Sequence, residues 1–250
     1  MPRLNLPNDR WERIAHMLPG KPGDRGRTAA DNRLFVEAVL WMARSGAAWR
    51  DLPEEFGPWN SGYQRFARWQ QRGVWERVFE ALAEDADFEE IFMDSPAIRV
   101  LQSAAGAKKK EGPQAIGRSR GGLTTKIHAV VEALGNLARW RLAPGQAADV
   151  TEAEPLLDGI ATKAVAADKA YNSQSLIDSI TRRGAQAVIP PRSNRTEPRD
   201  FDRHIYKGRN LVERFFCRIK HFRRVAARYD KLDTRYQAFI AIAAACIRLA

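Results

Sequence analysis

The sequence predicts a mixed β-sheet with helices on its faces, of α+β or α/β class, preceded by a separate helical domain. Residues 1–89 hold six of the seven tryptophans and have the pattern of short helices. From residue 90 onward, short apolar runs alternate with helical segments, which is typical of a mixed sheet. The acidic run EDADFEE, residues 84–90, separates these compositions. We therefore expect a helical domain over residues 1–88 and a sheet domain over residues 89–250.

Capping residues and helix-breaking glycines predict four helices in the first domain. Asn8 or Asp9 can cap the first helix and Thr28 or Asp31 the second, which ends at the C-cap signal Ser45–Gly46. The predicted spans are about 8–18, 28 or 31 to 45, 60–72 and 74–85. Compact helices with short turns could form a helix-turn-helix type DNA-binding module, and the alternative is a helical bundle with tryptophan in its core. Four arginines could supply a basic face for reading DNA: Arg65, Arg68, Arg72 and Arg77.

The second domain is predicted to alternate strands and helices. A short strand at 91–93 ends in Asp94, and another at 163–167 ends in Asp168. Between them, residues 124–132 and 137–143 flank a Leu-Gly-Asn turn and predict a hairpin. Residues 102–122 are predicted to be a mobile basic loop. The remaining predicted elements are helices at 149–160, 173–183 and 236–249, a helix around Glu213, and a short strand within 186–191. Asn172 or Ser173 can cap the helix at 173–183, and Gly184 can end it.

The distribution of charge indicates a polyanionic partner. The net charge is +11, yet residues 1–89 hold 13 basic and 14 acidic residues, whereas residues 90–250 hold 28 and 16. Nucleic acid is the simplest such partner, and the alternative is a basic protein with only weak nonspecific binding. No apolar run approaches the ~20 residues of a membrane span, and no signal-peptide core is present. Cys217 and Cys246 fit no metal or disulfide pattern, so a reducing cytoplasm is expected.

Three carboxylates are candidates for a metal site. Asp94 and Asp168 each follow a buried strand directly, and ligands of open sheets bind outside the carboxyl ends of strands. Glu213 lies on an amphipathic helix that could pack across them. Carboxylates suit Mg²⁺, and two such ions can drive phosphodiester chemistry. Each residue also has an ordinary explanation, because strand-end aspartates often cap the next turn and Glu213 could pair with Arg209.

The segment YKGRNLVERFFCRIK, residues 206–220, carries a distinctive spacing. If this segment is one helix, Tyr206, Arg209, Glu213 and Lys220 fall within an arc of roughly 60°. Their spacing resembles the signature around the glutamate of DDE transposases of bacterial insertion sequences, and more narrowly of the insertion-sequence-five family. Stretches that match this family, in the family's order, lie at 32–61, 73–82, 117–129, 167–171 and 210–231.

This resemblance implies a ribonuclease-H-like catalytic domain behind a helical, DNA-binding domain. It assigns Asp94, Asp168 and Glu213 as the metal-binding triad, with Mg²⁺ or Mn²⁺, and implies DNA cleavage and strand transfer at terminal inverted repeats. Tyr206, Arg209 and Lys220 would be signature helpers. Further cations would grip the DNA backbone: Lys108, Lys109, Lys110, Arg118 and Arg120. The implied partners are the element ends and target DNA on the bacterial nucleoid, bound by a homo-oligomer.

Two residues depart from the family pattern. Pro96 stands where a hydroxyl residue is common after the first aspartate, and it removes a backbone donor. Ala170 stands where glycine is common after the second, and it would be strained if the position requires a positive φ. Two other functions are therefore weighed: a catalytically decayed DNA-binding protein derived from a transposase, and a ribonuclease-H-like nuclease without strand transfer.

Overall fold

The computed structural model describes residues 6–24, 28–107, 112–191 and 200–250. Contacts divide the chain into a sheet unit, residues 85–218, and a helical unit, residues 1–84 with 219–250. The helices are α1 (Asn8–Ala15), α2 (Asn32–Ser45), α3 (Trp59–Gln71), α4 (Val74–Leu82), α5 (Asp149–Leu157), α6 (Gln174–Arg182), α7 (Arg203–Lys207), α8 (Asn210–Ile219), α9 (Arg223–Ala226) and α10 (Asp233–Arg248). The strands are β1 (Glu90–Asp94), β2 (Ala97–Val100), β3 (Gly117–Ser119), β4 (Gly122–Glu132), β5 (Leu137–Pro144), β6 (Ala164–Ala167), β7 (Gln186–Val188) and β8 (Ala227–Arg228).

The sheet unit is organised around β1. This strand pairs in parallel with β6, which pairs in parallel with β7, and it pairs antiparallel with β4 on its other side. The long strand β4 also pairs antiparallel with β5, so the order is β5-β4-β1-β6-β7. The β1–β6 register places Met93 beside Ala167. The carboxyl ends of β1 and β6 therefore meet at one edge of the sheet.

Helices cover one face of β1, and the backbone at Gly208 packs closely against the other face. Ile91 and Met93 belong to a core that includes apolar residues of α5 and α6. Phe92 points to the opposite face, because side chains alternate along a strand. There its ring meets Gly208, where an added Cβ would lie 2.6 Å from two ring carbons. Only glycine fits this contact, so the junction between α7 and α8 can lie directly on β1.

The strand that begins with β1 is interrupted rather than ended by Pro96. Asp94 pairs with Ala129 and Ala97 with Lys126, so β1 and β2 keep one register along β4. Between them, the Pro96 carbonyl accepts a hydrogen bond from the Ile127 N–H at 3.1 Å. Proline removes a donor but leaves its carbonyl available, which explains why pairing resumes as the unpredicted strand β2.

Two local predictions were wrong. Residues 206–220 are not one helix, because α7 ends at Lys207 and α8 begins at Asn210. The intervening turn is tightened by i→i−3 hydrogen bonds, including Arg209 N–H to the Tyr206 carbonyl at 3.1 Å. Residues 102–122 are not wholly loop, since β3 pairs with the first residues of β4. A short β-hairpin was missed there because its strands are polar and glycine-rich.

The helical unit gathers its core from both ends of the sequence. Phe66 of α3 stacks on Phe239 of α10 with ring centroids 4.7 Å apart, and both residues are buried. The predicted division assigned residues 219–250 to the sheet domain, whereas here they pack with the N-terminal helices. This changes the charge balance, because the helical unit holds 20 Lys/Arg and 13 Asp/Glu and the sheet unit 21 and 17.

The caps of several predicted helices are as expected. The Asp31 carboxylate accepts a hydrogen bond from the Leu34 N–H at 2.9 Å, and α2 ends at Gly46 with φ 68°. Ser173 caps α6 by accepting from the Leu176 N–H at 3.2 Å. None of the helices within the described ranges is long and apolar enough to cross a membrane.

Candidate active site

Asp94 and Asp168 emerge side by side at the sheet edge. Asp94 is the last residue of β1, and Asp168 directly follows β6, whose Ala167 pairs with Met93. One Asp168 oxygen accepts a hydrogen bond from the Ala170 N–H at 2.8 Å and caps a short 3₁₀ turn, Lys169–Tyr171. The capping role predicted as the ordinary explanation is therefore real. It fixes the Asp168 carboxylate at the strand end and is compatible with a second role.

The electrostatics of Asp94 connect it to the other two candidate carboxylates. Burial raises the pKa of Asp94, and the charges of Asp168 and Glu213 raise it further. A hydrogen bond from the Ser95 backbone and the charge of Arg209 act in the opposite direction. Asp94 and Asp168 thus share one edge of the sheet, and Glu213 is linked to them by the weak effect of its charge on Asp94.

Arg209 is a cation that lies beside Asp94. Its Nη2 lies 3.8 Å from Oδ1 of Asp94, and only 13% of its side chain is exposed. Its Nη1 donates a hydrogen bond to the Tyr206 hydroxyl at 3.3 Å, and its guanidinium lies 5.5 Å from the centre of that ring. Tyr206 and Arg209 therefore act together although the helix is broken between them.

The candidate residues are of the right type to bind a divalent cation, but their side chains are not positioned to do so in this structure. Among the described residues, no group of three His, Cys, Asp or Glu side chains is arranged to hold one metal ion. Carboxylate oxygens are nevertheless the ligands that Mg²⁺ and Mn²⁺ prefer. A cation would also offset the repulsion from Asp168 and Glu213, which adds to burial in raising the Asp94 pKa. Glu213 is solvent-exposed on α8, so its side chain has room to change rotamer.

A buried polar network below the edge was not predicted. Tyr171, at the end of the Asp168-capped turn, is fully buried, and its hydroxyl lies 3.4 Å from Nδ1 of the buried His128 on β4. Burial raises the pKa of Tyr171, and a hydrogen bond with Ser95 opposes this. Burial lowers the pKa of His128, which favours the neutral ring. The sequence signal was a histidine within the apolar run of β4.

The other predicted site residues are dispersed. Lys220 is exposed just beyond α8, Arg118 is exposed on β3, and Arg120 is exposed in the β3–β4 turn. The predicted DNA-gripping lysines, Lys108, Lys109 and Lys110, lie outside the described residues. Ala170 sits in the 3₁₀ turn, and among the described non-glycine residues positive φ occurs at Ala115 instead. The strain predicted for Ala170 is therefore absent.

Two family profiles match the chain in succession. One, described as "Putative transposase of IS4/5 family", matches residues 6–79. The other, described as "Transposase DDE domain", matches residues 85–248, which is more than half of the chain.

Individual relatives agree with these profiles. A "Putative transposase for insertion sequence element IS6501" of Brucella ovis is 37% identical over 131 residues, covering 51% of this chain and 99% of the relative. A "Putative transposase for insertion sequence element IS402" of Burkholderia cepacia is 29% identical over 153 residues, covering 56% of this chain and 69% of the relative. The resemblance predicted from the residue spacing is confirmed.

A solved structure shares the fold. The cryo-EM structure of the piggyBac transposase synaptic complex with hairpin DNA superposes with a TM-score of 0.56 at 9% identity. The match covers 95% of this chain and 69% of that chain. The predicted ribonuclease-H-like mixed sheet preceded by helices is thereby confirmed.

Proposed function

The chain belongs to the DDE transposase family of insertion sequences, and we propose that it cuts DNA at the element ends and joins the freed ends to target DNA through Asp94, Asp168 and Glu213. The observation that carries this assignment is the position of Asp94 and Asp168 at the ends of paired parallel strands. Glu213 is supported as the third member because its charge acts on Asp94.

DDE transposases generally use divalent metal ions, and we propose that Mg²⁺ or Mn²⁺, as two ions, serves here. Such ions, when bound, activate the attacking oxygen and stabilise the leaving oxygen of a phosphodiester. Asp94, Asp168 and Glu213 would hold them through carboxylate oxygens. The raised pKa of Asp94 is consistent with this assignment, because it reflects burial first and then the charges of Asp168 and Glu213, and a bound cation would stabilise the buried carboxylate against both.

The cations near the triad would bind the substrate. Arg209, held by Tyr206 and adjacent to Asp94, would contact a phosphate oxygen close to the reacting bond, where developing negative charge needs a fixed donor. For Lys220 we propose contact with a phosphate of the bound DNA. Arg118 and Arg120, with the loop lysines Lys108, Lys109 and Lys110, would grip the DNA backbone farther away, so binding should weaken steeply with salt.

The specific substrates would be the terminal inverted repeats of the element and a target duplex on the bacterial nucleoid. Because two ends must be processed together, we propose that the protein acts as a homo-oligomer on DNA. We assign cleavage to the part of the predicted 89–250 domain that forms the sheet unit, and DNA binding to the helical domain predicted over 1–88 together with residues 219–250, with which it packs.

A cleavage assay tests this function. Purified full-length protein is mixed with a duplex that carries the inverted repeat flanking its gene, in Mg²⁺, Mn²⁺ or EDTA. We expect nicking at the repeat boundary in either metal and none in EDTA. Asp94→Asn, Asp168→Asn and Glu213→Gln should each lower the cleavage rate by at least about 10³-fold, the scale of losing one preorganised catalytic group, while DNA binding persists.

Asp158→Asn is the matched control, because Asp158 is an exposed carboxylate of the same unit away from the strand ends. This variant should cut like the wild type. Cleavage that survives one of the three substitutions would remove that residue from the triad. Binding by the wild type without cleavage in both metals would indicate a DNA-binding protein without catalysis, and cleavage without joining would indicate a nuclease.

A further inference from the structure

We propose that one face of helix α3 lies in the major groove of double-stranded DNA and reads base edges within the element ends. The face is formed by Asn60, Gln64, Arg68 and Gln71, and we call it the reading face. All four side chains are exposed, and they fall within an arc of about 80° on the helix. This inference rests on the proposed function, because it names the residues by which the protein recognises that substrate.

The residue types of the reading face suit base recognition. Asn and Gln can bond bidentately to adenine, and Arg can do the same to guanine, each through atoms displayed in the major groove. Asn60 and Gln64 lie one turn apart, with the Gln64 amide donating towards the Asn60 carbonyl oxygen at 3.5 Å. A long, weak contact of this kind leaves both groups able to bind a partner.

The opposite side of α3 is held rigidly. Trp69 is buried, with ring centroids 5.0 Å from Phe35 and 5.1 Å from Trp75. The Arg65 guanidinium lies 4.3 Å from the centre of the Phe35 ring and hydrogen-bonds Asn32, so this arginine is part of the scaffold. Burial lowers its pKa. A helix fixed in this way presents the reading face with little freedom, which favours specific recognition.

The charge around the reading face indicates a polyanion as the occupant. Helix α3 has no acidic residue, and Arg68 and Arg72 stand four residues apart, where like charges repel. Within the described ranges, neither of these arginines forms an ion pair with a carboxylate. Both also line a cleft of about 1050 Å³, in which Lys21, Arg65 and Arg77 are further cations and Asp24 is the one acid among the described residues that line it. The phosphates that border a groove would lie along this cleft.

The neighbouring helix α4 is unsuited to the same task. A tight turn at Gly73, with φ 63°, joins α3 to α4, and in a helix-turn-helix module the second helix usually reads the DNA. Here α4 buries one side through Val78 and Phe79, Glu76 is half-buried, and the exposed residues Arg77 and Glu80 are of opposite charge. Acidic side chains would repel phosphates. In this proposal the first helix of the pair, α3, contacts the bases, whereas in a helix-turn-helix module the second helix does so.

Binding measurements in EDTA, which prevents cleavage, test the proposal. The full-length protein is titrated with a duplex carrying its inverted repeat and with a shuffled duplex of equal composition. Gln64→Ala and Arg68→Ala should each reduce the ratio of the two affinities about 10-fold, the scale of losing one bidentate base contact. Gln64→Ala should leave binding to the shuffled duplex unchanged, because no charge is lost.

Arg13→Ala is the matched control, since Arg13 is an exposed arginine on α1 of the same unit. It should lower both affinities slightly and leave their ratio unchanged. If Arg68 contacts a guanine, methylating N7 of that guanine in the repeat should weaken DNA binding by the wild type but not by Arg68→Ala. Circular dichroism establishes that the variants fold.

The outcomes separate the two proposals. If the wild type prefers and cuts its repeat while the α3 variants keep the full affinity ratio, the reading face is wrong and the transposase function stands. If the wild type neither prefers nor cuts the repeat, the proposed function fails and the reading face fails with it. A ratio that falls equally in Arg13→Ala would also overturn the reading face, because the effect would then be one of general charge.

Discussion

Two acidic residues at opposite ends of the β1–β4 ladder are treated differently by the fold. Glu132, opposite Ile91, is fully buried, and its carboxylate is compensated. It accepts hydrogen bonds from the backbone N–H groups of Leu134 at 2.8 Å, Asn136 at 3.0 Å and Asp87 at 3.3 Å. This charge holds the β4–β5 turn and the entry to β1 together, so its role is structural.

Asp94, at the other end, is poorly compensated. Its pKa is raised by burial and, to a smaller extent, by the charges of Asp168 and Glu213, and the Ser95 N–H and the Arg209 guanidinium at 3.8 Å offset this only in part. Among the described residues, Glu132 has three backbone donors, whereas Asp94 has the Ser95 N–H and the Arg209 guanidinium. Crowded carboxylates with a perturbed pKa are typical of functional sites. The comparison teaches that the degree of compensation separates structural acids from candidate metal ligands within one pair of strands.

The largest expected effect on stability is at Glu132, the end of the β1–β4 pair where the carboxylate is compensated. Glu132→Ala leaves three backbone donors without their acceptor, and we expect the free energy of unfolding to fall by about 3 kcal/mol. Urea denaturation followed by circular dichroism measures it. Glu154→Ala is the control, because its exposed ion pair with Arg183 should contribute under about 1 kcal/mol. If the two variants were equally stable, the distinction between the two ends would collapse.

Much of this architecture could be predicted because its signals are local. Asp31, Gly46 and Ser173 mark helix ends through their own backbone contacts, and apolar runs that end in Asp94 and Asp168 mark two strands. The convergence of those aspartates followed from a general rule about sheets, and the strands are indeed paired neighbours. Which acids bind metal stays a prediction from the resemblance.

The rest could not be predicted because it depends on contacts between distant residues. Nothing near Gly208 in the sequence shows that Phe92 will lie against it, or that the expected helix will be interrupted there. His128 and Tyr171 are 43 residues apart and meet only after β4 and β6 join the sheet. Residues 219–250 were assigned by order along the chain, whereas the partner of Phe239 is Phe66 in the first third of the sequence.

A smaller effect is expected at the Asp94 end of the β1–β4 pair, where the carboxylate is poorly compensated. Tyr171→Phe removes the hydroxyl that joins the Asp168 turn to His128 and Ser95 and keeps the packing of the ring. We expect cleavage about 10-fold slower and a higher metal concentration for half-maximal rate, with a stability loss of about 1 kcal/mol for the hydrogen bond.

The matched control for Tyr171→Phe is Tyr236→Phe in the helical unit. Tyr236 is equally buried, and its hydroxyl donates to the Val225 carbonyl at 2.7 Å. This variant should lose similar stability without any change in metal requirement. If both variants shifted the metal requirement alike, Tyr171 would have only a general structural role.

The smallest expected effect is a gain in stability rather than a loss. Because the folded state raises the Asp94 pKa, it binds that proton more tightly than the unfolded chain does. The contribution of Asp94 to folding stability is therefore fully present at acid pH. It is lost as the pH rises above the ordinary aspartate pKa towards the raised pKa of the folded state. Asp94→Asn removes the charge, so in EDTA at neutral pH we expect a slightly higher Tm than the wild type, although cleavage is lost.

Thermal unfolding over a pH series tests this sign. The Tm difference should vanish at acid pH, where Asp94 is protonated in both states, and Glu132→Gln should show no such gain. Adding Mg²⁺ or Mn²⁺ should raise the Tm of the wild type and leave that of Asp94→Asn nearly unchanged, because a ligand stabilises only the state that binds it. A lower Tm for Asp94→Asn in EDTA at neutral pH would mean that Arg209 and Ser95 compensate Asp94 as fully as the three N–H groups compensate Glu132.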